Sequence, residues 1–272
     1  MWRRSSTQSF RRGHSRVASW DARASHTIGW GGRSGSLALI ELDGRGLPLA
    51  GQPTQVFAFR GSGPVRTRQA GAHAHFILPA PSGDHLLLTD LGSDAVRRLR
   101  VDRAGRRLTD EGIAVAMPVG SGPRHGVYSA DRHHLYVVGE LDGALHTIEL
   151  TTDVTRGQVV ASGPVVPPSS TPSDLSHITR DGDRLLIGVR GADVLAEHHL
   201  AADGVPSLTA THPLPGSWPR HHAVIGRWTV VALQRAGLVA VLDHTGATVS
   251  QAEIPSPSCI LPAASPPNPP TA

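Results

Sequence analysis

A unit of about fifty residues repeats along the chain, and this repeat restricts the possible folds more than any other feature of the sequence. Each unit begins with a histidine near the start of a short apolar segment. The histidines of successive units are His75, His125, His177 and either His221 or His222. Because one repeat of this length cannot bury its own apolar face, such repeats stack into solenoids, propellers or arrays.

The segments inside each unit have the length and alternation of β-strands. A polar turn leads into a second apolar segment, which reads SGDHLLLTD, ADRHHLYVVGE, DGDRLLIGVR and IGRWTVVALQR in the four units. A third segment follows a turn with Gly or Asp, and a weaker fourth comes after it. Period-two alternation is visible from Val96 to Val101, and no helical period of useful length is present. The pattern predicts an all-β protein, a β-propeller of four-stranded antiparallel blades.

The number of blades and the ends of the chain define the predicted domain organisation. SGSLALIELDGRG and QPTQVFAFRG look like the third and fourth strands of a blade, four full units follow, and PSCILP looks like one more first strand. This amounts to about five blades, so we expect a partial propeller over 36–262 that lacks its N-terminal blades. Residues 1–35, rich in Arg and Ser, are predicted to be disordered or non-native, and 263–272 to be a Pro-rich disordered tail.

The amino-acid composition excludes several classes of protein. The chain has 272 residues, of which 39% are hydrophobic, so global disorder is not expected. No stretch of apolar residues is long enough to span a membrane. The single cysteine, Cys259, excludes a disulfide framework and a cysteine-based zinc site, and it fits a cytoplasmic protein. A net charge of +4 gives little reason to expect nucleic acid as a partner, and we expect a monomer.

Four segments, in chain order, carry a more specific signal. They read RQAGAHAHFILPAPSGDHLLLTDLGSDAVRRLRVD, GSGPRHGVYSADRHHLYVVGEL, SHITRDGDRLLIGVRG and GSWPRHHAV. Together they resemble the lactonase family of seven-bladed β-propellers, which includes the propeller-type 6-phosphogluconolactonases and the fungal carboxy-cis,cis-muconate cyclases. The resemblance covers about 36–262. The sequence departs from the family pattern at Gly139 and Val189, where Asn is usual.

The resemblance implies a catalytic site at one end of the propeller channel. It places the catalytic histidine of the family on His73 or His75, its arginines on Arg124 and Arg190, and its glutamate on Glu140. No cofactor is implied, and no metal is expected despite the 16 histidines, because no carboxylate recurs at metal-ligand spacing.

These residue types suit the hydrolysis of a lactone. The reaction needs a base for water, a positive partner for the tetrahedral oxyanion and an acid for the ring oxygen. A histidine can serve as the base, and guanidinium groups can hold the oxyanion and an anionic group of the substrate. The two arginines favour a small anionic lactone as the partner, and the resemblance implies a lactone hydrolase of carbohydrate metabolism that acts on a sugar lactone such as 6-phosphogluconolactone.

Other interpretations of the same residues stay open. A cyclo-isomerase could make or open a muconolactone on the same site, and a propeller without catalytic activity could serve as a binding scaffold. Each candidate residue also has a structural alternative: His75 at the start of a strand, Arg124 on the rim of a turn, and Glu140 in a salt bridge with an arginine of a neighbouring blade.

Overall fold

A computed structural model describes residues 15–18, 26–31, 35–43, 47–49, 51–153, 155–169 and 173–262, with only the backbone of the first two segments. The chain divides into two compact units, residues 1–122 and 123–272. All regular structure in the described residues is β-strand, arranged as five four-stranded antiparallel sheets. The predicted all-β architecture of four-stranded antiparallel blades is thereby confirmed.

The first unit holds two sheets, each with its strands in chain order. The first sheet consists of β1 (Ser15–Ala18), β2 (His26–Gly31), β3 (Ser36–Glu41) and β4 (Gln55–Ala58). The second consists of β5 (Ala74–Pro79), β6 (His85–Asp90), β7 (Ala95–Asp102) and β8 (Arg107–Ala116).

The second unit holds three sheets of the same topology. The third sheet is β9 (Pro123–Tyr128), β10 (His134–Gly139), β11 (Ala144–Leu150) and β12 (Gly157–Pro164). The fourth is β13 (Asp174–Asp181), β14 (Arg184–Arg190), β15 (Val194–Leu200) and β16 (Pro206–Pro213). The fifth is β17 (Pro219–Ile225), β18 (Trp228–Leu233), β19 (Leu238–Leu242) and β20 (Thr248–Glu253).

The start of the fold differs from the sequence prediction. The segments predicted as third and fourth strands of a blade are indeed β3 and β4, but β1 and β2 precede them in the same sheet. The first sheet therefore begins before residue 36, in a segment whose Arg and Ser content indicated disorder. Residues 1–14 and the Pro-rich tail at 263–272 lie outside the described residues.

Each unit has its own apolar core between facing sheets. In the first unit, Leu37 and Leu39 of β3 pack with Ile77, Leu86 and Leu88 of the second sheet. Each fully buried leucine of this kind contributes roughly 2 kcal/mol of hydrophobic free energy.

Strand β14 shows why some strands of the second unit are apolar on both faces. Its residues Leu185 and Ile187 pack in a core with side chains of the third sheet, such as Tyr136. Leu186, which points to the opposite face, packs with Val231 of the fifth sheet. A strand that is buried on both faces has a continuous apolar run, which accounts for the sequence RLLIGVR. Strands β9, β13 and β17 are the first strands of these sheets, and β13 contacts both of the others.

The described residues contain no helix of the length and apolarity needed to cross a bilayer.

Candidate functional site

The first strand of each of four sheets is irregular at the same place, close to where it begins. Pairing with the second strand shifts register between Ala74 and Phe76, and equivalent shifts occur in the other three sheets. The residues at the four irregularities are His75, Arg124, His125, Ser176, His177 and Arg220. β-Bulges of this kind redirect side chains and are frequent beside active sites. The repeated bulge therefore places one or two candidate side chains at the entry of each of these four sheets.

Arg124, Glu140 and Arg190 form one buried cluster in the second unit. Arg124 Nε donates to Glu140 Oε2 at 2.6 Å, and Arg190 Nη2 lies 2.9 Å from the same oxygen. The three residues are 0%, 2% and 4% exposed. Two guanidinium groups on one carboxylate leave the cluster with a net charge of +1, so it suits an anionic ligand or a developing oxyanion.

Backbone carbonyls of β13 fix both guanidinium groups of the cluster. Arg124 Nη1 donates to the carbonyl of Ser176, and Arg190 donates to the carbonyls of Asp174 at 3.3 Å and Leu175 at 2.8 Å. Buried charges are tolerated when they are paired and hydrogen-bonded in this way. The cluster thus links the third sheet to the fourth, and its geometry is defined by backbone as well as by side chains.

Four histidines of the first strands lie together in the same unit. His125 Nδ1 is 2.6 Å from His177 Nδ1, so one ring of this pair donates a proton and the other accepts it. The ring of His177 stacks on His221 with centroids 3.9 Å apart and meets His222 edge-on at 4.9 Å. Burial, with a smaller contribution from His221, lowers the pKa of His222 to about 3. His222 is therefore neutral at pH 7.

His73 and His75 belong to the first unit. Their rings lie 5.5 Å apart, and His75 is buried. The backbone N–H of His73 donates to Oδ1 of Asp90 at 2.7 Å, and the other oxygen of Asp90 binds Arg97 Nε at 2.9 Å. The fully buried Asp90 thus secures the chain beside both histidines.

In the second to fifth sheets, a residue at or just after the end of the second strand forms a hydrogen bond or ion pair with a residue at the start of the first strand. Asp90 binds the backbone of His73, Glu140 binds Arg124, and Arg190 binds the carbonyl of Asp174. In the fifth sheet, Arg220 Nη1 donates to Gln234 Oε1 at 3.2 Å. The Arg124–Glu140 ion pair of the third sheet therefore corresponds to a charged–neutral pair in the fifth.

All five predicted site residues lie within the described part of the chain. The structure brings Arg124, Glu140 and Arg190 into direct contact and places His73 and His75 side by side in the other unit. Glu140 also forms the salt bridge with an arginine of the neighbouring sheet that was its structural alternative. Within the described residues, no group of three or more His, Cys, Asp or Glu side chains is arranged to hold a metal ion.

Sequence reasoning missed two residues beside this cluster, Trp218 and Arg235. The Arg190 guanidinium carbon lies 5.1 Å from the ring centroid of Trp218, and that of Arg235 lies 3.2 Å from it. Trp218 lies in the segment GSWPRHHAV, which carries part of the family resemblance. The available signal was a tryptophan in the turn just before a first strand.

Comparisons with known proteins point to one family of β-propellers. A family model described as "Lactonase, 7-bladed beta-propeller" matches residues 23–262. The chain is 26% identical over 227 residues to a 6-phosphogluconolactonase of Formosa agariphila, covering 81% of this chain and 64% of that protein. It is 38% identical over 106 residues to a probable 6-phosphogluconolactonase of Arthroderma benhamiae, covering 37% of this chain and 26% of that protein.

Solved structures give the same fold. The structure of a periplasmic gluconolactonase of Pseudomonas aeruginosa matches with a TM-score of 0.73 and 25% identity, over 86% of this chain and 68% of that chain. A protein from Lactobacillus plantarum matches with a TM-score of 0.81 and 24% identity, over 89% of this chain and 72% of that chain. The chain thus spans less than two thirds of the length of both curated relatives above, at 64% and 26%.

Proposed function

Because the chain belongs to the family of seven-bladed lactonase propellers, we propose that it hydrolyses a sugar lactone, such as 6-phosphogluconolactone, to the aldonate. The single observation that carries the proposal is the buried cluster of Arg124, Glu140 and Arg190. Arg124 lies at the entry bulge of the third sheet and binds the carbonyl of Ser176 at the entry bulge of the fourth, which supports a role in catalysis, because bulges aim side chains toward sites of this kind. The names of the relatives add a substrate class, the lactones of gluconate and 6-phosphogluconate.

The proposed reaction is acyl transfer from the ring oxygen to water. An imidazole takes a proton from water as the water oxygen bonds to the carbonyl carbon. A guanidinium of Arg124 or Arg190 stabilises the oxyanion, since these charges are already oriented and need no reorganisation. The bond from carbonyl carbon to ring oxygen then breaks, and the ring oxygen receives the proton to become a hydroxyl. Glu140 positions both guanidinium groups.

Three imidazoles are candidates for the base. His177 is the candidate within the second unit, because it lies next to Ser176, whose carbonyl binds Arg124. The family resemblance implies His73 or His75 instead. Replacing each of these histidines by alanine distinguishes a base from a structural residue. Loss of the base lowers kcat by roughly 10²- to 10⁴-fold and changes its pH profile, whereas loss of a structural imidazole does not change the pH profile.

The test is hydrolysis of 6-phosphoglucono-δ-lactone by the purified chain, followed by acid release above the spontaneous rate. We expect turnover by the wild type and a decrease of roughly 10²- to 10³-fold in kcat for Arg124→Gln. Arg184→Gln is the matched control, because Arg184 lies in the same unit but forms a half-exposed ion pair with Asp181. Release no faster than in buffer contradicts the proposal and favours a binding scaffold. Turnover of carboxymuconate instead of the sugar lactone favours the cyclo-isomerase.

We also propose that the protein is a cytoplasmic monomer that acts in carbohydrate metabolism. A phosphorylated sugar carries charge that a bilayer excludes, so its lactonase works in the compartment where the phosphate ester is formed. Preference for the unphosphorylated lactone would instead favour the periplasm, the location in the name of one related structure. Cell fractionation and size-exclusion chromatography at micromolar concentration test location and oligomeric state.

A further inference from the structure

The backbone of Trp218 is strained, and hydrogen bonds to two neighbouring turns hold it in this conformation. Its φ of 68° lies in the left-handed region, which is unfavourable for a bulky side chain and is often found at functional sites. Its N–H donates to Oδ1 of Asp193 at 2.8 Å, in the turn after Arg190. Its carbonyl accepts a hydrogen bond from the N–H of Gln234 at 3.0 Å, in the turn after β18. The backbone of Trp218 is therefore held between the turns that follow β14 and β18.

The indole ring contacts two arginines with different surroundings. Arg190 is buried and already bound to Glu140 and to backbone carbonyls. Arg235 is exposed, and its guanidinium carbon lies 3.2 Å from the centre of the ring. No carboxylate among the described residues pairs with Arg235. Stacking on an aromatic face leaves the N–H edge of a guanidinium available for an oxyanion.

Basic residues outnumber acidic residues around this ring. The basic residues are Arg124, Arg190, Arg220 and Arg235, and the acidic ones are Glu140 and Asp193, whose Oδ1 accepts a hydrogen bond from the N–H of Trp218. In the fifth sheet, the position that corresponds to Glu140 is occupied by the neutral Gln234, which binds Arg220. The side of the second unit near Trp218 is thus prepared for a ligand that carries more than one negative charge.

We propose that Arg235, held against Trp218, binds the phosphate monoester of a phosphorylated sugar lactone and so sets the substrate specificity of the site. This inference rests on the proposed lactone hydrolysis and adds the residue that recognises the phosphate. Trp218 is a positioning residue in this scheme: it orients Arg235 and contacts Arg190. Charge-assisted hydrogen bonds to phosphate are among the strong polar interactions of proteins, so the gain for a phosphorylated substrate is large.

The experiment compares Arg235→Gln with the wild type on two substrates, 6-phosphoglucono-δ-lactone and glucono-δ-lactone. For the phosphorylated lactone we expect kcat/KM to decrease roughly 10- to 100-fold, mainly through KM, because hydrogen bonds to a charged group are lost. For glucono-δ-lactone we expect a change of less than about twofold, because that substrate has no group for Arg235 to bind. Arg235→Lys should retain part of the preference, since a lysine keeps the charge but not the planar donor edge.

Arg227→Gln is the matched control. Arg227 is also exposed in the fifth sheet and also lies over a tryptophan, with its guanidinium carbon 4.4 Å from the ring of Trp228, but at the other end of β18. It should leave both activities unchanged. An equal decrease on both lactones in Arg235→Gln, or no decrease on either, overturns the role of Arg235 in phosphate binding. Absence of hydrolysis of both lactones by the wild type overturns the proposed function itself, and this inference with it.

Discussion

At the scale of single residues, the site depends on one carboxylate that serves two buried cations. Glu140 Oε2 is in contact with both Arg124 and Arg190, so its removal leaves two guanidinium groups in a buried place without their shared partner. Desolvated charges of this kind are stable only as a set. The stability of the second unit and its proposed function therefore depend on the same carboxylate.

Glu140→Gln is expected to lower the free energy of unfolding by roughly 3–5 kcal/mol, because it breaks a buried ion pair. Urea titration measures the change. Asp181→Asn is the control: it removes an ion pair of the same 2.6 Å length, but one whose side chains are 38% and 40% exposed, and it should cost about 1 kcal/mol or less. Equal effects of the two variants would show that Glu140 is not the buried partner described above.

His222 gives the chain a pH dependence of stability. Its pKa falls from 6.5 in the unfolded chain to about 3 in the folded protein because it is buried. Below pH 6.5 the unfolded state therefore binds a proton that the folded state does not, so stability is full above this pH and decreases progressively as pH falls toward 3. Between pH 7 and 5 the loss due to this residue is about 2 kcal/mol.

Replacing His222 with leucine should remove this component, so that the variant loses about 2 kcal/mol less than the wild type between pH 7 and 5. Urea unfolding at both pH values measures the difference. His244→Leu, at an exposed histidine of the same unit, is the control and should follow the wild type. Parallel pH profiles for all three proteins would contradict the low pKa of His222.

Residue identities were partly accessible from sequence. Arg124, Glu140 and Arg190 were named because their motifs resemble those of a family, while their mutual contact depends on the packing of two sheets. The motifs did not point to Trp218 and Arg235, because what relates these two residues is a ring contact between two turns that are separate in the sequence.

At the scale of elements, alternation and turns predicted the strands well. The second strands of the four full repeats match β6, β10, β14 and β18, because continuous apolar runs bounded by turn residues leave little alternative. The bulges were not predicted. A register shift depends on how two strands meet, and neither strand alone carries a signal for it.

The approach of β13 to β14 at one such bulge requires a glycine. A Cβ on Gly188 would collide with Oγ of Ser176, whose carbonyl accepts a hydrogen bond from Arg124. Gly188→Ala should therefore lower the free energy of unfolding by roughly 1–3 kcal/mol and reduce lactone hydrolysis. Gly163→Ala in β12 is the control, because a Cβ there meets no atom within 4 Å, and it should change stability by about 0.5 kcal/mol or less. Similar stability of the two variants would contradict the close packing.

At the scale of the whole molecule, the repeat predicted the class of fold and about five blades, and the structure has five sheets in its described residues. The sequence did not indicate the division near residue 122. The repeat continues across this position without a linker, so no change in composition marks it.

The single cysteine leads to a prediction about the reactivity and stability of the entire chain. Cys259 is exposed and is the only cysteine, so stability is independent of disulfides. In the native protein, a thiol reagent should titrate one thiol per chain, and a reducing agent should leave the unfolding midpoint unchanged. Cys259→Ser should abolish the titration. A thiol that reacts only after denaturation would contradict its exposure.

The repeated bulge has a consequence for how such a protein can change over generations. Residues in regular ladders are constrained by their pairing partners, whereas those at the four irregular entries lie outside the ladder pairs. Burial and ion pairing, as at Arg124, limit which side chains can stand there. Inherited substitutions at the entries are therefore selected by these side-chain contacts, and the backbone pairing of the sheets does not decide among them.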